Sequence, residues 1–86
     1  MTIKGALQDL ALKVCTVLFH QTSGKPRPVD LDPRHVMEWI DLESPAEVNE
    51  VLDCALEMGW LREMPEGFAL SASGIYVIKR RLGLMT

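Results

Sequence analysis

No apolar run in the 86-residue chain approaches the ~20 residues that a bilayer-spanning helix needs. The opening stretch MTIKGALQDLALK interleaves Lys4, Asp9 and Lys13 with its apolar positions. That spacing is amphipathic and lacks the unbroken apolar centre of a signal peptide. These absences predict a cytoplasmic protein that does not enter a membrane. Cysteine is scarce: Cys15 and Cys54 stand 39 residues apart, with no CxxC pair. A disulfide framework uses more cysteines and a secreted context. Both are therefore expected to be buried thiols that pack as small hydrophobes.

The machinery of catalysis is also missing. His20 and His35 match no zinc-ligand spacing, so no metal is expected. No glycine-rich phosphate loop is present. Nucleophilic catalysis needs a Cys or Ser beside a His and an orienting acid. Cys15 and His20 are five residues apart, which places them on different faces of a helix. The reading is a non-enzymatic chain without a cofactor.

What is present is apolar residue and segregated charge. Hydrophobic residues make up 48% of the sequence, enough for one folded domain over residues 1–86 and too much for a disordered chain. The net charge of −3 conceals a pattern. Residues 1–29 carry Lys4, Lys13, Lys25 and Arg27 against Asp9 alone. Residues 30–70 carry eleven acids against Arg34 and Arg62. Residues 71–86 carry Lys79, Arg80 and Arg81 and no acid. The middle is acidic and both ends are basic.

The periodicity predicts a first helix over about Ile3 to Gln21. Its apolar positions (Ile3, Ala6, Leu7, Leu10, Ala11, Val14, Cys15, Val17, Leu18) leave only a narrow polar face. Two covered sides are implied: the helix is central, or one side meets another subunit. Gly24, Pro26 and Pro28 end it in a basic loop, TSGKPRPV. Asp32 and Pro33 predict the start of a second helix, with Val36, Met37 and Ile40 or Trp39 inward. Ser44, Pro45 and Glu47 have capping-box spacing for a third, with Val48, Val51, Leu52, Ala55 and Leu56 inward and Gly59 as its stop. Trp60–Met64 and Phe68–Leu70 read as two strands around a Pro65-Glu66-Gly67 turn. Trp60 is expected to seal the base of this hairpin. Ser71 or Ser73 then caps a last helix to about Leu82, with Ile75, Ile78 and Leu82 inward. The fold class is mainly α with a small β-hairpin wing, in the order helix, helix, helix, hairpin, helix.

Residues 32–81 resemble the winged helix-turn-helix domain of small bacterial transcription regulators. Val48, Leu52, Ala55 and Gly59 follow the spacing of that family's recognition helix. Gly59-Trp60-Leu61 and the run Phe68 to Gly74 resemble its helix exit and wing exit. The resemblance implies sequence-specific DNA binding by the third helix.

The side chains oppose that implication. Phosphate neutralisation by Lys and Arg supplies most DNA affinity, and base reading uses Arg, Lys, Asn and Gln. The third helix presents Glu47, Glu50, Asp53 and Glu57, and its one conventional base reader is Asn49. It contains no Lys or Arg, and Asp41 and Glu43 precede it. The wing sets Arg62 against Glu63 and Glu66. The leading expectation is therefore a protein-interaction module, or one that self-associates as a homodimer. The acidic face Glu47, Asn49, Glu50, Asp53 and Glu57 would meet the partner, helped by the apolar first helix. A DNA-binding regulator is the alternative. For it, Lys25, Arg27, Arg62, Lys79, Arg80 and Arg81 are the available basic contacts, or else ordinary solvated charge. An acidic decoy that imitates nucleic acid is a further reading. Trp39 is expected at the rim, either edging the core or anchoring an interface.

Overall fold

Nineteen residues, Ile3–Gln21, form α1, around which the other elements assemble. The computed structural model describes residues 3–40, 42 and 44–83. After α1 come α2 (Pro33–Ile40), α3 (Pro45–Glu57), β1 (Leu61–Met64), β2 (Gly67–Leu70) and α4 (Ala72–Arg81). The protein is mainly helical with a small hairpin wing, in the order that the periodicity and turn residues predict. α1 packs against α2, α3, α4 and β2, so its wide apolar surface is that of a central helix.

The core is built from inward positions of every helix. Val14 and Leu18 of α1 meet Val36 of α2, Val48 and Val51 of α3, Leu70 of β2 and Ile78 of α4, all fully buried. Burying one such side chain stabilises the fold by about 1.5–3 kcal/mol. Phe19, which the stripe did not include, joins this cluster. Coverage of α1 is weaker toward its start: Leu7 and Leu10 are half-buried and Ala6 is exposed, against expectation. Val17 is also only half-buried, and so is Leu56 of α3. The Ile3 side chain lies outside the described residues.

Local chemistry sets the helix ends. The Arg34 amide donates to Asp32 Oδ1 at 2.9 Å, which caps α2. Ser44 Oγ accepts from the Glu47 amide at 3.4 Å, and Pro45 opens α3 where no amide bond is lost. α3 stops because Gly59 takes φ +76°, a left-handed conformation that costs other residues energy. Ser71, not Ser73, caps α4 by accepting from the Gly74 amide at 3.0 Å. α4 ends at Arg81, so Leu82 is its C-cap and lies exposed rather than inward.

The wing departs from expectation in two details. β1 begins at Leu61, because Trp60 is spent on the turn out of α3; its ring is buried there. Gly67 pairs with Met64, so the connecting turn is Pro65-Glu66 alone. Gly67 has φ +141°, and a Cβ there would strike the Val29 carbonyl. That close approach marks a contact the sequence reading missed. Val29, assigned to the loop, exchanges two backbone hydrogen bonds with Phe68, of 2.8 and 2.9 Å. It ties the segment before α2 to the outer edge of β2. The same loop is anchored by Thr22, a buried polar residue whose hydroxyl donates to the Leu18 carbonyl at 2.8 Å.

No helix among the described residues is long and apolar enough to cross a membrane.

Candidate functional site

The 3.6-residue period of α3 sorts its side chains into two sets. Val48, Val51, Leu52 and Ala55 turn inward, which leaves Glu50, Asp53 and Glu57 on one outward stripe. These three carboxylates are exposed and face the first turns of α1. With Cys54 and Met58 they meet Leu7 and Gln8 across a groove of about 300 Å³. Leu7 and Cys54 are its half-buried apolar lining, and exposed Met58 stands with the three carboxylates at the rim. Gln8 Nε2 reaches Met58 Sδ at 3.7 Å and braces one wall against the other. Glu57 sits in the last turn of α3, where the helix dipole is already negative and no basic side chain offsets it. The end of the groove is therefore its most electronegative part.

Not all of the predicted acidic face takes part. Glu47 is half-buried, and its amide belongs to the helix cap. Asn49 is exposed but does not line the groove. Asp41 and Glu43 lie outside the described residues. The groove also uses side chains that sequence reasoning did not assign to a site: Leu7, Gln8, Cys54 and Met58.

The basic candidates sit on other elements. Lys25 and Arg27 are exposed on the loop after α1, and Arg62 is exposed on β1 beside Glu63. Lys79, Arg80 and Arg81 are exposed on the last turn of α4, where they complement its dipole. The Arg80 guanidinium lies 5.8 Å from the centre of the Tyr76 ring, a cation–π contact. Trp39 is half-buried and packs against the edge of the core. Among the described residues, no group of three or more His, Cys, Asp or Glu could hold a metal ion.

The two cysteines differ, which corrects the expectation that both are buried. Cys15 is fully buried, and that burial, with Cys54 nearby as a lesser cause, pushes its thiol up to about 12. Cys54 is half-buried and open to the groove. Thiolate is the reactive form of cysteine. Iodoacetamide at pH 8 is therefore expected to label one cysteine per native chain, at Cys54. Cys15 should label only after denaturation, and mass spectrometry of the digested protein reads this directly. Equal native labelling of both would contradict the packing described.

Comparison with protein-family models, with characterised proteins and with solved structures gives no match.

Proposed function

We propose that this chain is a non-enzymatic, winged-helix-like module that binds protein in a regulatory role, with the α1–α3 groove as its docking face. The observation that carries the reading is the groove itself. An apolar lining beside three exposed carboxylates suits a basic, amphipathic protein segment. Apolar contact would supply affinity, and the rim would supply orientation and selection for positive charge.

DNA binding by α3 is the other reading, and the same rim argues against it. Screening at physiological salt has a range of about 8 Å, so bases on other elements cannot neutralise carboxylates pressed against phosphates. The wing adds no compensating charge, since Arg62 is followed by Glu63 and the turn carries Glu66.

Fluorescence titration with two probes separates these readings. One is a synthetic amphipathic helix of Lys and Leu, and the other is a mixed-sequence DNA duplex, both at low salt. The peptide is expected to bind, and to weaken as salt rises. The duplex is expected to show no binding, although non-specific electrostatic affinity emerges first under those conditions. Duplex binding without peptide binding would overturn the proposal.

A further inference from the structure

The groove has a complement on the same chain. Among the described residues the exposed large apolar side chains are Met58, Tyr76 and Leu82. Met58 belongs to the acidic groove, and the other two flank the basic turn of α4. On α4, Tyr76, Lys79 and Arg80 follow i, i+3, i+4 spacing, which places them on one outward face. Leu82, four residues after Ile78 and just past the helix end, lies off that face. The opposite face, with Gly74 and Ile78, is buried in the core. α4 therefore displays an aromatic ring and two cations on one helical face.

We infer that the basic face of α4 from a second copy of this chain docks in the α1–α3 groove. The inference rests on the groove being a protein-docking face and names its occupant. Two features favour a second copy. The charges are opposite in sign: Glu50, Asp53 and Glu57 line one side, and Lys79 and Arg80 stand on the other. Apolar surface is matched as well, since exposed Tyr76 would cover exposed Met58 and the lining around Leu7. Arg80 lies over the Tyr76 ring, 5.8 Å from its centre, so the charge and the ring are presented side by side. Each copy offers both a groove and an α4. Association therefore needs no other component.

Sedimentation velocity over rising concentration, with paired charge reversals, tests this. The groove variant carries Asp53→Lys and Glu57→Lys. The helix variant carries Lys79→Glu and Arg80→Glu. All four positions are exposed, and circular dichroism confirms that both variants keep the fold. The wild-type chain is expected to rise above the 9.6 kDa of one copy as concentration increases. Each variant alone is expected to stay at one copy. Their equimolar mixture is expected to associate again, because the acidic groove of the helix variant can still take the basic α4 of the groove variant, and the reversed pair is complementary too. Iodoacetamide labelling of Cys54 should slow at least threefold over the same range in the wild type, and not in either variant alone.

A wild type that stays at one copy overturns the inference, and so does a mixture that fails to associate. The helix variant keeps its acidic groove, so the Lys/Leu peptide is added to it separately. If it binds the peptide while the wild type does not self-associate, the docking face stands and its occupant is wrong. If neither occurs, both readings fail.

Discussion

Gly74→Ala is expected to destabilise the domain more than Gly59→Ala does. The two glycines look alike in sequence, each beside a helix end. Gly74 is buried in the first turn of α4, and a Cβ there would run into the Trp60 backbone carbonyl. Backbone cannot swing aside as a flexible side chain can. That carbonyl also accepts the Ser71 amide at 3.0 Å, so moving it disturbs the α4 cap. Alanine gains about 1 kcal/mol of helix propensity over glycine. Overpacking costs typically 1–3 kcal/mol, and collision with backbone lies at or above the top of that range. The net loss is expected to be at least about 2 kcal/mol, against a total of about 5–15 kcal/mol for a domain. At Gly59 no atom lies within 4 Å of the added Cβ, and the left-handed φ of +76° is the whole cost. That strain is about 1–2 kcal/mol. Urea denaturation of the two variants measures the difference. Equal midpoints would contradict the packing of α4 against the exit from α3.

The triple variant Glu50→Lys, Asp53→Lys, Glu57→Lys is expected to weaken the Lys/Leu peptide roughly a hundredfold. Reversal removes three attractions and installs three repulsions at a partly apolar site. An exposed charge pair contributes about 0.2–1 kcal/mol. Three reversals therefore amount to about 2–3 kcal/mol, where each 1.4 kcal/mol is tenfold. Stability should change little, because all three side chains are exposed and away from the core. Arg62→Glu, on the wing and outside the groove, serves as the control and is expected to leave peptide affinity within a factor of two. Isothermal titration calorimetry reads both variants. An unchanged affinity in the triple variant would remove the groove as the docking face.

The elements were legible because their signals are local. The bounds of α1 follow from an apolar period that ends where Gly24 and the prolines begin. Those of α3 follow from Ser44, Pro45 and Gly59. Contacts between distant parts of the chain were not legible. The pairing of Val29 with Phe68 spans two segments and uses only backbone atoms, so no side-chain pattern announces it. Leu82 fits the inward spacing of α4, but the helix stops before it and leaves it without a neighbour to cover it. The acidic stripe of the groove could be read from the period of α3. Its apolar lining could not, because Leu7 and Met58 are 51 residues apart and meet only when α1 packs on α3. Cys54 has the same origin: it stands between the inward Val51 and Ala55 and the outward acids, and how far it is exposed depends on how α1 packs on α3.

The central claim is that protein docks between α1 and α3, and mapping amide shifts during the peptide titration tests it most directly. In ¹H–¹⁵N spectra the largest changes are expected at Leu7, Gln8, Glu50, Asp53, Cys54, Glu57 and Met58. The loop at Lys25 and Arg27 and the wing at Arg62 should stay still. Changes concentrated on the loop and wing, with the groove unmoved, would contradict it.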